Sequence, residues 1–220
     1  MNLFDIVGPV MVGPSSSHTA GAAKIGLISR RLLGERVVDA KIYFHGSFEE
    51  TGIGHGSDRA IIGGLLGMAC DDSRIPHSFA VALEEGLHFT FDSIDLGDIH
   101  PNSMKLELVG ETGKRLELIG NSIGGGRIRV LEIDGLACKV NGERPTLIVS
   151  NDDTLGRIAF ITSTLTKYEI NIATMQLNRD SRGGHAVMVI ETDQEVPIEA
   201  RNELINNEGI LKVTYLSTKE

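Results

Sequence analysis

The sequence predicts an α+β protein of two domains, and three observations lead there. Apolar residues alternate with polar ones over short runs, as at Val38, Ala40, Ile42 and Phe44, which is the period of a half-buried strand. Between residues 104 and 140 such runs are separated by short glycine-containing turns, so they fold back as hairpins. After residue 146 the order becomes strand, helix, strand, strand, helix, strand, which is that of a ferredoxin-like split βαβ unit. The first domain is assigned to residues 1–142 and the second to residues 146–220. The break falls where Asn141, Gly142 and Pro145 interrupt the pattern.

The first domain opens on Gly13-Pro14-Ser15-Ser16-Ser17-His18-Thr19, ahead of an apolar helix over residues 20–33. These hydroxyls lie where the first N–H groups of a helix lack an intrahelical partner, and a helix N-terminus attracts negative charge. A plain N-cap by Ser17 or Thr19 accounts for one hydroxyl, whereas a small-anion site also accounts for Ser15 and Ser16; both readings stand. A strand follows over residues 37–44, then a glycine-rich turn, Thr51-Gly52-Ile53-Gly54-His55-Gly56-Ser57-Asp58, and a helix over 59–69. No Gly-Lys-Ser/Thr follows the turn, which excludes a nucleotide phosphate loop.

A short helix over 79–86 and a strand over 88–92 come next, and neither His77 nor His88 has neighbours that favour a site. His100-Pro101-Asn102-Ser103 leads into strands over 104–109 and 114–119, turned at residues 110–113. Residues 121–126, Asn-Ser-Ile-Gly-Gly-Gly, are read as a third polar loop before a hairpin, 127–133 and 136–140, turned at Asp134-Gly135. In the second domain the strands fall at 146–150, 170–179, 185–191 and 210–215, and the helices at 154–168 and 197–206. Leu155, Ile158, Ala159, Ile161, Leu165 and Tyr168 make an approximately helical apolar face on the first of these helices.

A chain of 220 residues has room for a real core. Its 21 basic and 30 acidic residues give a net charge of -9 with no basic stripe, so nucleic acid and anionic membrane are excluded as partners. The N-terminal residues lack a basic segment followed by an apolar one, Asp5 interrupting the run, and no stretch approaches the roughly 20 apolar residues of a membrane span. The expected compartment is the cytoplasm. Cys70 and Cys138 are far apart, belong to no Cys-x-x-Cys pair and read as free thiols, too few for the usual thiolates of an iron–sulfur cluster. No metal site is expected in this chain.

Two resemblances add to this reading. The strand Leu147-Ile148-Val149, the loop over residues 150–158 and the strand opening Ile170-Asn171-Ile172-Ala173 resemble an ACT domain. That resemblance implies side-by-side pairing and an effector, often an amino acid, held near Asn151, Asp152, Leu155 and Gly156. The three N-terminal loops, 13–21, 51–58 and 100–102, in this order and ahead of an ACT-like tail, resemble the beta subunit of the bacterial two-chain iron–sulfur L-serine dehydratases. The family resemblance implies an allosteric-substrate-binding-like fold for the first domain. It also implies conversion of L-serine to pyruvate and ammonia, with a [4Fe–4S] cluster whose open iron acts as a Lewis acid on the leaving hydroxyl. Two cysteines cannot hold that cluster, so the resemblance puts it on a partner alpha chain.

On this reading Ser15, Ser16 and Ser17 receive the substrate carboxylate, with Thr19, Thr51 and Asn102 in the binding set. His55, His18 and His100 are the candidates for proton chemistry, since imidazole is neutral and available near pH 7. His55 ranks first because its glycine flanks leave the ring free to project; Asp58 and Ser122 are lesser candidates. Two rivals are a purely regulatory module, whose loops sense metabolites without touching the reacting substrate, and a stand-alone binding protein with no enzyme partner.

Overall fold

The structure, a computed structural model, describes residues 9–218. The N-terminal residues 1–8, read above as lacking a leader, and residues 219–220 lie outside the described residues. The chain forms two compact units, Met1–Gly135 and Leu136–Glu220.

In the first unit Ser15, in extended conformation, caps a short π-helical turn, Ser16–Ala20, that runs directly into α1 (Gly21–Leu33). The wide turn is closed by Ala20 N–H donating to the Ser15 carbonyl at 3.2 Å. The predicted helix is thus present, but its N-terminal hydroxyls lie inside the first turn. Gly34, left-handed at φ 78°, ends α1. Next come β1 (Val37–Gly46), α2 (Ser47–Thr51), α3 (Ser57–Leu65), α4 (Ser78–Glu85), β2 (His88–Ser93), β3 (Asn102–Gly110), β4 (Arg115–Gly124) and β5 (Arg127–Ile133).

These strands stand in the order β2-β1-β3-β4-β5, with β1 parallel to β2 and antiparallel to β3. Alternate residues of β1, β3, β4 and β5, such as Ile42, Leu106 and Leu118, are buried, so one sheet face is the core face. On that face Gly120 comes up against Ile25 of α1. Two departures from the sequence reading bear on the site. Helix α2, of five residues, is absent from the sequence reading, and residues 121–124 are the last residues of β4 and not a loop, with Asn121 and Ser122 buried.

Helices α1 and α3 touch backbone to backbone. A Cβ on Gly64 would overlap the Ala23 carbonyl oxygen, and one on Gly26 would lie 2.5 Å from the Ile61 carbonyl oxygen. The two glycines let the helices close on each other, which sets their N-terminal ends side by side.

The second unit opens with β6 (Leu136–Val140), whose Ala137 carbonyl accepts from Asn178 Nδ2 at 2.7 Å. It continues through β7 (Thr146–Asp152), α5 (Arg157–Lys167), β8 (Ile172–Arg179), β9 (His185–Thr192), α6 (Ile198–Ile205) and β10 (Ile210–Leu216). The strand order β10-β7-β9-β8 and the core of Leu147, Val149, Ile161, Leu165, Met188 and Leu204 make the predicted ferredoxin-like unit. Helix α5 begins at Arg157, later than the sequence suggests, because Gly156 is left-handed at φ 92°.

Glu195 locks the end of β10 onto the turn before α6. Its carboxylate accepts from the Tyr215, Ser217 and Thr218 hydroxyls and from Thr218 N–H. Burial alone would push this carboxyl up, but these donors hold it down at about 2, against 4.5 when free. Because the folded value lies below the free one, the stabilisation is present above pH 4.5 and is lost as pH falls toward 2. Thermal melting of the chain between pH 5 and pH 3 should show a loss on the order of 2 kcal/mol. Glu195→Gln should melt lower at pH 7 and lose most of this acid dependence; an unchanged acid dependence would remove the carboxylate from the account.

Candidate active site

The site is built on the N-terminal ends of α1 and α3, with α2 between them. His18 lies inside the π-helical turn and is 8% exposed. Its backbone N–H donates to Ser15 Oγ at 3.1 Å, and its carbonyl accepts from Ser57 Oγ, at the start of α3, at 3.3 Å. The ring meets Phe48 edge-on with centroids 5.2 Å apart, so α2 walls it on one side. Thr19 is buried, and its Oγ1 donates to the His55 carbonyl at 2.8 Å, tying the glycine turn to the serine loop. The His18 and His55 rings lie 4.8 Å apart by their centroids.

Hydrogen-bond partners decide the tautomers. His55 Nδ1 lies 2.9 Å from the Thr51 carbonyl oxygen, which only accepts, so Nδ1 carries the proton and Nε2 is the basic nitrogen. His18 is the reverse. Its Nε2 lies 3.1 Å from Thr51 Oγ1, 3.1 Å from Ser47 Oγ and 3.4 Å from the Ser47 carbonyl oxygen; that carbonyl only accepts and already takes the Thr51 proton at 2.9 Å, so it asks Nε2 for a proton, which the Ser47 hydroxyl can accept as well. Nε2 therefore carries the proton, and Nδ1 faces Ser17 Oγ at 3.1 Å and Ser15 Oγ at 3.4 Å. Burial holds the His18 imidazole below its usual pKa; the Ser47 carbonyl opposes this and the neighbouring His55 adds to it. One imidazole offers its free nitrogen on a partly open turn and the other is buried and held neutral.

The third loop reaches the same place through its backbone. Ser47 N–H, at the start of α2, donates to the Pro101 carbonyl at 2.8 Å, and Asn102 opens β3 opposite Gly46. The His100 ring turns back on its own loop, its Nδ1 accepting from Asn102 N–H at 3.1 Å. Ser16 joins through its carbonyl, which accepts from Gly126 N–H at 3.3 Å, and its Oγ has no protein partner among the described residues. Ser122 is buried, its Oγ without a partner among the described residues and so close to Gly21 that a Cβ there would overlap it. Asp58 bonds the N–H of Arg59.

Sequence reasoning missed Ser47, Phe48 and Ser57. The first two sit on a helix of five residues, too short for periodicity to register. The spacing of Ser47 and Thr51, one helical turn apart, was the one available signal.

The cysteines do not form a metal centre. Cys70 and Cys138 form no disulfide and fall in different units, and Cys70 Sγ donates to the Val10 carbonyl at 3.4 Å. Burial and the neighbouring Asp71 push the Cys70 thiol up, away from the thiolate a ligand needs. No group of three or more His, Cys, Asp or Glu side chains converges among the described residues, so they do not fit the donor set of a four-iron cluster. No helix among them is long and apolar enough to cross a membrane.

In the second unit Asn151 is buried, with Nδ2 donating to the Asp152 carbonyl at 2.8 Å and Oδ1 without a partner among the described residues. Asp152 N–H donates to the Gly209 carbonyl at 2.9 Å, Leu155 is fully exposed, and Gly156 is the N-cap of α5. Asp153 accepts from Arg179 at 2.8 Å and from Gly183 N–H at 3.0 Å, which pins this loop to the turn between β8 and β9.

Comparison with known proteins agrees with the loop pattern. The family model for the serine dehydratase beta chain matches residues 2–80. The probable L-serine dehydratase beta chain of Bacillus subtilis (strain 168) is 42% identical over 216 residues, covering 98% of each chain. The L-serine dehydratase beta chain of Peptoniphilus asaccharolyticus is 36% identical over 97% of this chain and 96% of its own. A D-3-phosphoglycerate dehydrogenase of Bacillus subtilis is 25% identical over 89% of this chain but only 37% of its own length. Among solved structures, the ACT domain of the GTP pyrophosphokinase of Chlorobium tepidum covers 33% of this chain at 21% identity, with a TM-score of 0.29. With 42% and 36% identity to two beta chains running almost end to end, this chain belongs to the L-serine dehydratase beta-chain family.

Proposed function

We propose that this chain is the beta subunit of an L-serine ammonia-lyase, active in the cytoplasm, that converts L-serine to pyruvate and ammonia with an alpha chain holding a [4Fe–4S] cluster. The observation that carries the reading is the pair of neighbouring imidazoles at a serine-rich turn, His55 with Nε2 left without a proton and His18 with Nδ1 turned to the Ser17 hydroxyl. Loss of water across the α and β carbons needs a base for the α-proton, and the half-exposed His55, with Nε2 as its acceptor nitrogen, is suited to that. Ser16 Oγ and the first-turn N–H groups of Ser16 and Ser17 are donors suited to the substrate carboxylate. Thr19 and Thr51 act on the ligand through the two histidines they hold. His100 and Asn102 line the approach over Ser47. The cluster is assigned to the alpha chain, and no step assigned to this chain runs through it.

We further assign residues 146–220 a regulatory role as an ACT-like module. Asn151, Asp152, Leu155 and Gly156 form its effector loop, and self-association runs along the edge strand β8, where Met175 and Leu177 are exposed. The experiment is anaerobic co-purification of the tagged full chain from its native cell extract, followed by assay of the eluate for pyruvate from L-serine. A brown, cysteine-rich partner with serine-dependent, air-sensitive pyruvate formation is expected. Recovery of a chain that binds an amino acid and turns nothing over would overturn the dehydratase reading in favour of a sensor.

A further inference from the structure

We propose that Ser17, with Ser15 behind it, presents lone pairs to the ligand and not protons, so that these two hydroxyls take the ammonium group of an amino acid and leave its carboxylate to other donors. The inference deepens the amino-acid reading of this site and rests on it. Its basis is the direction of a hydrogen-bond chain. The chain ends on the Ser47 carbonyl oxygen, which has no proton to give. Thr51 donates its one hydroxyl proton there at 2.9 Å, so toward His18 Nε2, at 3.1 Å, it accepts. The approach of that carbonyl to Nε2, at 3.4 Å, calls for the same proton on the same nitrogen, and Ser47 Oγ, 3.1 Å from Nε2, is placed to accept it too.

His18 Nδ1 is therefore a lone pair inside a nearly closed turn, and a buried acceptor of this kind needs a donor. The donor is a serine hydroxyl: Ser17 Oγ at 3.1 Å, with Ser15 Oγ behind it at 3.4 Å. Ser15 Oγ already accepts the His18 N–H and lies 3.2 Å from Ser17 Oγ, so its proton is also directed inward. Each serine hydroxyl has one proton and two lone pairs. With both protons drawn toward the imidazole, the half-exposed outer side of the pair is left with acceptors. A carboxylate placed there would meet lone pairs, whereas an ammonium finds charge-assisted partners. Ser16, whose Oγ bonds no protein group among the described residues, retains its proton for the carboxylate, so three consecutive serines divide between the two ends of one amino acid.

Two measurements on the full chain, each independent of turnover, test this. In the first, nitrogen-15 NMR of histidine-labelled protein reads the His18 tautomer at neutral pH. A proton on Nε2 with a hydrogen-bonded Nδ1 is expected, and a proton on Nδ1 would overturn the inference. In the second, binding of L-alanine, which has ammonium and carboxylate, is compared with binding of propionate, which has the carboxylate alone. Ser17→Ala should weaken L-alanine on the order of tenfold to a hundredfold and leave propionate within about twofold, and Ser17→Thr should restore most of the difference. Equal weakening of both probes would make Ser17 a carboxylate donor; no change in either would remove it from the ligand. Either result sinks the proposal. If the chain discriminates the probes as expected yet its assembled complex forms no pyruvate from L-serine, the dehydratase reading fails and the polarity of the serine pair stands.

Discussion

Replacing His55 by alanine in the assembled two-chain enzyme is expected to lower kcat for pyruvate formation by about 10²- to 10⁴-fold while the two chains still co-purify. The size of the effect follows from the ring's setting. Its Nδ1 proton is spent on the Thr51 carbonyl at 2.9 Å, which leaves Nε2 as the proton acceptor, and its backbone is held by Thr19 Oγ1 at 2.8 Å. Removing the side chain deletes a base without disturbing a core, because the residue lies on a partly exposed turn. His55→Asn separates orientation from basicity. An asparagine amide can still donate to the Thr51 carbonyl but has no basic nitrogen, so its kcat should fall as far as that of the alanine variant. A variant with kcat within about tenfold of wild type would take His55 out of the proton transfer and move the role to His18.

The second large effect lies in the packing of α1 on α3. Gly64→Ala should destabilise the chain by several kcal/mol, enough to abolish recovery of folded protein or to lower its melting temperature by about 10 °C or more. The added methyl would overlap the Ala23 carbonyl oxygen and lie 2.7 Å from Leu27 N, and both obstacles are backbone atoms of a buried helix that cannot rotate aside. Gly86→Ala is the control. That residue is left-handed at φ 71° with open space where a Cβ would go, so the cost is conformational and about 1 kcal/mol. If the two variants melted alike, close helix approach would not be the reason for glycine at position 64. Because the same approach brings Ser57 to the His18 carbonyl, any Gly64→Ala protein that folds should bind amino acids more weakly as well.

Much of this molecule was legible in local patterns. The strands 37–44 and 104–109 announced themselves by period-two alternation, and the pairing of β3 with β1 from Asp39 on and with β4 keeps that alternation in register, whereas β4 and β5 pair with two irregularities. Glycine and proline marked the three loops, and all three meet around α2. The misses share a cause. Helix α2 is too short for a periodic signal, and residues 121–124 look like a flexible loop until a neighbouring strand pairs with them. The left-handed Gly156 delays α5 because a backbone angle, and not a side-chain pattern, decides where that helix starts.

By itself the sequence determined the fold class, the order of the elements, the grouping of serines and histidines in loops, and a shortage of thiolates in this chain. These depend on apolar spacing and residue chemistry within a few positions, or on a simple count. The tertiary structure decided which nitrogen of each histidine is free and which way the serine protons point. Those depend on partners brought from 29 and 33 residues away, Ser47 and Thr51 on His18, and on two glycines that let one helix close on another. A tautomer is set by whichever group occupies the far side of the ring, and only folding puts that group there.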